Sequence, residues 1–390
     1  MDFDSTINRL GSHCVKWDMM EALYGIPADR GLAMWVADME FRPPAAVQRA
    51  LQDMLDHGIY GYFGDESKYL AAIQWWMKTR HGWEIDPAHI FTTHGLVNAV
   101  GICIDTWTAP GDGVVVMSPV YHAFARVIRA SGRALVECEL RHEAGRYALD
   151  IEAWDQQLSG REKMLILCSP HNPGGRVWSE DELQAIADFA ARHDLILISD
   201  EIHADLVFPG QQHHVLAKQA PQIRERLVTL TSTTKTFNIA GAHTGNVIIG
   251  DAKLRGEFAA RMNALGISPN SFGLHMATAA ASPEGAEWLD RLIAYLDENR
   301  RLFDAAMNAL PGVRSMPLEA TYLSWVDFSG TGLSRAELLE RIEGQAAIAS
   351  NHGDSFGKGG ESFLRFNIAA PRAHITEAIA RLQQAFADLQ

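Results

Sequence analysis

Between residues 90 and 250 the chain repeats one local theme, a short unbroken apolar run closed on both sides by turn residues. The runs fall at 90–93, 113–118, 134–138, 164–169, 195–200, 227–232 and 246–250. Each is too short for a helix and lacks polar alternation, the pattern of strands buried on both faces of a mostly parallel sheet. Helical periodicity separates several of them. In 180–193, Leu183, Ile186, Ala187, Phe189 and Ala190 make one apolar stripe, and Ser179 with Glu182 supplies a capping box at its start. The alternation predicts an α/β fold, a large domain whose mostly parallel seven-stranded sheet is sandwiched by helices.

The texture changes near Pro283. Residues 284–310 read as one long amphipathic helix, with Trp288, Leu292, Tyr295, Leu296, Phe303 and Met307 at helical spacing and Pro311-Gly312 as its stop. Alternating segments at 313–318 and 321–328 follow, then a helix from Arg335, a Gly-rich loop at 353–360, a strand at 362–368 and a last helix at 373–389. We therefore expect a large domain over 46–283 and a smaller α+β domain over 284–390. The N-terminal segment, 1–45, is expected to join the small domain or an interface.

Composition narrows the function classes. With 34 Lys and Arg against 48 Asp and Glu the net charge is −14, which argues against a nucleic-acid reader and its basic face. Cys14, Cys103, Cys138 and Cys168 are widely spaced without a Cys-x-x-Cys, so neither a disulfide framework nor a zinc ribbon is indicated. The N-terminus is acidic, unlike a signal peptide, and no long apolar run suggests a membrane span. A reduced, cytoplasmic setting is the expectation. The 16 histidines form no His-Glu-x-x-His, so no metal site is expected. Gly353-Asp-Ser-Phe-Gly357 matches a nucleophile elbow, but Gly-rich sequence follows where a helix is required, and the downstream His374 and Asp388 come in the wrong order.

The segment with most chemistry is Thr231-Ser-Thr-Thr-Lys-Thr-Phe-Asn-Ile-Ala-Gly241, which places Lys235 just past a strand end among hydroxyl residues. A lysine becomes a covalent catalyst when burial and cationic neighbours lower its pKa. Asp200 ends the run Leu-Ile-Leu-Ile-Ser, at the strand end where open α/β sheets bind ligands. A carboxylate buried there needs a cationic or donor partner, which a protonated ring nitrogen would supply. Asn172 sits on a tight turn after another strand and can aim its amide into the same crevice. Singly, each of these residues is more often structural than catalytic.

In this order and spacing, the Asn-Pro-Gly turn, Asp200 and the Ser-x-x-Lys of 232–235 resemble the fold-type I pyridoxal-phosphate enzymes of the aspartate aminotransferase superfamily. Within it the chain resembles the cystathionine β-lyase/C–S lyase branch (MalY/PatB-like). The supporting segments are Met34-Trp-Val-Ala-Asp-Met39, His57-Gly-Ile-Tyr-Gly-Tyr62, Ser169-Pro-His-Asn-Pro-Gly-Gly-Arg176, Asp200-Glu-Ile-His-Ala-Asp205 and Lys235-Thr-Phe-Asn-Ile-Ala-Gly241.

The resemblance implies pyridoxal 5'-phosphate as cofactor, held covalently by Lys235, which also shuttles protons. It implies that Asp200 pairs with the pyridinium nitrogen, Asn172 meets the phenolate oxygen and Tyr121 lies against the ring. Gly95, Leu96 and Val97 would offer amides to the phosphate at a helix N-terminus, with the Ser232 hydroxyl beside them. Tyr62 would reach the phosphate of a neighbouring subunit, so a homodimer is implied. Arg365 would clamp the substrate carboxylate, with Trp35 and Val36 on the substrate side.

His203 stands where many aminotransferases carry tyrosine, as in the lyase branch. His243 stands where many relatives place a phosphate-binding arginine, which leaves that contact open to Thr244 or a backbone amide. The activity implied is β-elimination of a thiol from an amino-acid substrate, cystathionine or a cysteine S-conjugate, with release of pyruvate and ammonia. An aminotransferase is the alternative, and a regulatory protein that keeps the fold comes third.

Overall fold

A computed structural model describes residues 1–389. The central sheet is built from β1 (Ile90–Thr93), β2 (Gly113–Ser118), β3 (Ala134–Glu139), β4 (Glu162–Cys168), β5 (Ile196–Asp200), β6 (Leu227–Thr231) and β7 (Gly245–Ile248). Their spatial order is β1-β7-β6-β5-β4-β2-β3. β7 runs antiparallel to both neighbours and the remaining pairs are parallel. The link from β6 to β7 holds only two short turns, Thr233–Thr236 and Ala240–Ala242. No long crossover helix carries the chain back, so the strand returns antiparallel.

Unbroken apolar runs arise because both sheet faces are covered. Val114 and Val116 pack with Val100, Ile104 and Phe258 on one face, while Val115 and Met117 pack with Leu183, Ile186 and Phe189 on the other. Burial of each such side chain contributes roughly 1.5–3 kcal/mol. The helix Glu180–Arg192 carries the expected capping box, with Ser179 and Glu182 satisfying each other's backbone amides.

The C-terminal part forms a second, antiparallel sheet of β8 (Arg314–Ser315), β9 (Leu323–Asp327), β10 (Asn351–His352) and β11 (Phe363–Asn367), in the order β8-β9-β11-β10. The helices Pro283–Asn308 and Arg372–Ala385 bury an apolar stripe beneath it. The long helix begins one residue earlier than the periodicity indicates, because Ser282 caps it by accepting from the Gly285 amide. The segments at 313–318 and 321–328 shrink to β8 and β9. The chain between them is drawn off the sheet by the Gly175 carbonyl, which accepts from the Glu319 and Ala320 amides at 2.8 Å each. The helix Arg335–Leu339 passes into a wider π turn, Glu340–Gln345.

The N-terminal segment is stitched to this second unit. Leu32–Ala33 pairs in parallel with Ile348–Ala349, and the Asn367 amide donates to the Met34 carbonyl at 2.8 Å. Residues 35–41 then cross to the central sheet, where the Asn238 amide group donates to the Met39 and Phe41 carbonyls. Among the described residues no helix is long and apolar enough to cross a membrane.

Candidate active site

The carboxyl ends of β4, β5 and β6 open on one crevice, the position where α/β sheets bind ligands. A cavity of about 440 Å³ lies there, lined by Gly95, Leu96, Val97, Tyr121, Asn172, Asp200, His203 and Lys235, together with Ala37, Arg126 and His243.

Lys235 rides on the one-turn helix Thr233–Thr236, whose N-terminus the Ser232 hydroxyl caps. Its ammonium donates to the Ala37 carbonyl. Burial pulls the Lys235 pKa down to about 8, with Asp38 and Asp200 opposing the shift and Arg365 adding to it. Asp200, at the end of β5, is buried and accepts one backbone amide, that of Ile202 at 3.1 Å. Among the described residues no side chain donates to it, and burial pushes its pKa up to about 7. His203 is buried with Nδ1 unpartnered, and burial, with Lys235 and Arg365 nearby, pulls its pKa down to about 3. Tyr121 is half-buried and edge-on to Phe124, 5.6 Å between ring centroids.

Gly95 precedes the helix Leu96–Trp107 at φ +88° and ψ 165°, a conformation nearly confined to glycine. No side chain caps that helix, so its first amides are left for a ligand in the cavity. Asn172 Oδ1 accepts from Arg365 Nη1 at 2.9 Å, which leaves the Asn172 amino group free to donate. Arg365, on β11, is itself buried. Its Nη2 donates to the Trp35 carbonyl at 3.0 Å and to Asn351, and its guanidinium lies 4.9 Å from the Phe356 ring. Burial pulls its pKa down to about 10, and its Nε has no partner.

Arg365 and the other candidate residues, His243 excepted, stand outside the cavity lining. Trp35 and Val36 meet the site through their carbonyls, which hold Arg365 and, at 2.7 Å, the Asn367 amide. The Trp35 indole turns away and donates to the Lys16 carbonyl at 2.8 Å. The Ser232 hydroxyl is engaged by the Thr244 carbonyl at 2.7 Å, and the Thr244 hydroxyl by the Ala242 carbonyl at 3.1 Å. His243 adopts a left-handed φ of +46° and does line the cavity. Tyr62 is fully exposed, in a separate surface hollow with Tyr60 and His275.

Sequence reasoning passed over Ala37, because its contribution is a carbonyl and an alanine side chain advertises nothing. It also passed over Arg126, which follows Tyr121 on the helix His122–Ala130 and so shares its mouth of the cavity.

The profile of the family Aminotransferase class I and II matches residues 36–382. The chain belongs to this family. Among its curated relatives, the cystathionine beta-lyase PatB of Bacillus subtilis (strain 168) is 38% identical over 388 residues, 99% of this chain and 100% of PatB. The protein MalY of Escherichia coli (strain K12) is 32% identical, over 98% of this chain and 97% of MalY. The crystal structure of cystalysin from Treponema denticola, which contains a pyridoxal 5'-phosphate cofactor, superposes with a TM-score of 0.94 at 36% identity. That match covers 100% of this chain and 99% of cystalysin. The mixed seven-stranded sheet flanked by helices is thus a feature this aminotransferase-family chain has in common with solved neighbours.

Proposed function

We propose that the chain is a pyridoxal-phosphate-dependent carbon–sulfur β-lyase, cleaving cystathionine or cysteine S-conjugates to a thiol, pyruvate and ammonia. The observation that carries this is the end-to-end likeness to a cystathionine beta-lyase at 38% identity, joined to a cavity that pairs a lysine of lowered pKa with an uncompensated carboxyl. The residues fit the cofactor. Among the described residues Asp200 has no side-chain hydrogen-bond partner, and a protonated ring nitrogen would supply one. The uncapped helix start at Gly95 suits a phosphate.

When bound, pyridoxal phosphate supplies an aldehyde for an amine and a ring that draws electrons from the substrate's Cα. Lys235 would hold that aldehyde and, once displaced by the substrate amine, take the Cα proton. A pKa near 8 leaves its amine partly neutral at physiological pH, as a base must be. Asp200 would keep the ring nitrogen protonated, Asn172 would donate to the ring oxygen, and Tyr121 would cover one ring face. Leu96 and Val97 would direct their amides at the phosphate, with His243 at the same cavity. Ser232 would serve that end by shaping the turn. His203, buried and neutral, would pack beside the ring without adding charge. Arg365 would take the α-carboxylate, with the Trp35 carbonyl holding it and the Val36 carbonyl holding Asn367 on the same strand, both on the substrate side. Elimination would be favoured where the site lets a thiolate leave the β-carbon and Lys235 holds the proton it took from Cα.

Incubation with cystathionine and a panel of cysteine thioethers is expected to release thiol and pyruvate in equal amounts without added keto acid. Robust keto-acid-dependent amino transfer with no thiol release from any of them would instead establish an aminotransferase.

Tyr62 would act across an interface, which makes the protein a homodimer with two composite sites. Mixing Tyr62→Ala and Lys235→Ala subunits tests this. Neither parent is expected to be fully active, and the mixed dimer is expected to recover activity at the site built from the two intact halves. A fully active monomer would rule out the shared site.

A further inference from the structure

Behind the turn that carries Lys235 lies a buried polar cluster with no part in the steps above. The turn itself, Thr233–Thr236, is four residues long. A helix of one turn has almost no stability of its own, so its orientation must come from tethers at its ends. Its N-terminal tether is Ser232, whose hydroxyl accepts from the Thr234 amide at 3.1 Å and donates to the Thr244 carbonyl. Its C-terminal tether is Thr236, fully buried, whose hydroxyl donates to Asp205 Oδ2 at 2.7 Å.

Asp205 is held in turn by a different part of the fold. Its Oδ1 accepts from Trp76 Nε1 at 2.9 Å and pairs with His81 Nε2 at 2.8 Å, both on the helix Ser67–His81. Burial alone would raise the Asp205 carboxyl, but His81, Thr236 and Trp76 hold it below its usual range, so the group is an ionised acceptor of three donors. Asp205 also lies on the loop that bears His203, directly after Asp200 ends β5. One carboxylate therefore ties together the loop of the ring-facing acid, the turn of the amine and a long helix that fixes both. It touches neither the cavity nor the Lys235 side chain.

We propose that Asp205 is a positioning residue for the reaction: by gripping the Thr236 hydroxyl it fixes the turn that aims the Lys235 amine into the cavity. The proposal rests on Lys235 being the reactive amine. It predicts that loss of the grip costs rate rather than substrate affinity, because Arg365 belongs to another sheet and makes no contact with the cluster.

Thr236→Val keeps the shape and removes only the donor, Thr236→Ser keeps the donor, and Asp205→Asn removes the charge. In the holoenzyme, Thr236→Val and Asp205→Asn are expected to lower kcat about 10- to 100-fold, the scale of a small misplacement at a reacting group, with KM within about twofold. Thr236→Ser is expected to restore most of the rate. In cofactor-free protein, the two impaired variants are expected to attach pyridoxal phosphate to Lys235 more slowly, followed by visible absorbance and by borohydride trapping. Wild-type kcat and attachment rate in Thr236→Val overturn the proposal whatever its melting temperature, and so does a loss that Thr236→Ser fails to restore. Should Asp205→Asn not fold, the Thr236 pair decides alone. Absence of a borohydride tag on Lys235 in the wild type would sink the reading of Lys235, and with it this proposal.

Discussion

Lys235→Ala is expected to lower turnover by at least about 10⁴-fold, since it would remove both the covalent attachment and the proton shuttle proposed for this residue. The loss should not come from unfolding. Among the described residues the Lys235 ammonium makes one hydrogen bond, to the Ala37 carbonyl, and that carbonyl keeps a second donor, the Tyr322 hydroxyl at 3.0 Å. Burial lowers the lysine from its ordinary 10.5 to about 8, so the folded state releases this proton before the unfolded chain does. Wild-type stability therefore gains with rising pH between about 8 and 10.5, and below 8 it bears the cost of a buried charge. The alanine variant lacks both, so its melting temperature at neutral pH should equal or exceed the wild type's and lose that pH slope. The same titration governs chemistry: cofactor attachment to the cofactor-free wild type should accelerate through about pH 8. A variant that retains elimination, or attachment that accelerates only near the ordinary lysine range, would contradict the assignment.

The fold was legible because its signals are local. Short apolar runs without alternation fit strands covered on both faces, as most of the seven are, while the run at 134–138 becomes the part-exposed edge strand β3; Ser179 with Glu182 marks a helix start from two residues alone. The antiparallel sense of β7 was not legible, since direction depends on whether the preceding link contains a crossover helix rather than on the strand's own residues. In the site, Lys235, Asp200 and Asn172 announce themselves by side-chain chemistry at strand ends. The parts that hold them do not. Ala37 works through a carbonyl, and Trp35 and Val36 sit in a motif whose indole and isopropyl groups suggest a pocket wall while their backbone oxygens do the binding. Ser232 and Thr244 read as anion-binding hydroxyls, yet each is committed to a neighbouring carbonyl once the turn closes. Asp205 is in a quoted motif, but its meaning depends on Thr236, His81 and Trp76, which only the folded chain brings together.

Arg365→Ala carries the second large expectation, a fall in kcat/KM of about 10²- to 10³-fold, or about 3–4 kcal/mol, arising mainly through KM. The guanidinium is buried and, among the described residues, its Nε has no partner, so a substrate carboxylate bound there would meet a cation already stripped of water. Interactions of that kind are strong when made and costly when one side is removed. The bound cofactor's visible absorbance should persist, because Lys235, Asp200 and the Gly95 helix start take no hydrogen bond from Arg365, and of the ring-side groups Asn172 alone loses a donor. Stability should fall as well. Arg365 supplies donors to the buried Asn172 and to the part-buried Asn351 and Trp35 carbonyl, and alanine leaves these acceptors unpaired, at a cost of roughly 1–3 kcal/mol for the buried one. Arg365→Lys separates the two effects. It restores a cation for the substrate, but one ammonium cannot span partners from β10, the Asn172 turn and the N-terminal strap at once, so KM should recover further than the melting temperature. An unchanged KM in the alanine variant, or loss of the cofactor's absorbance, would place the carboxylate contact elsewhere.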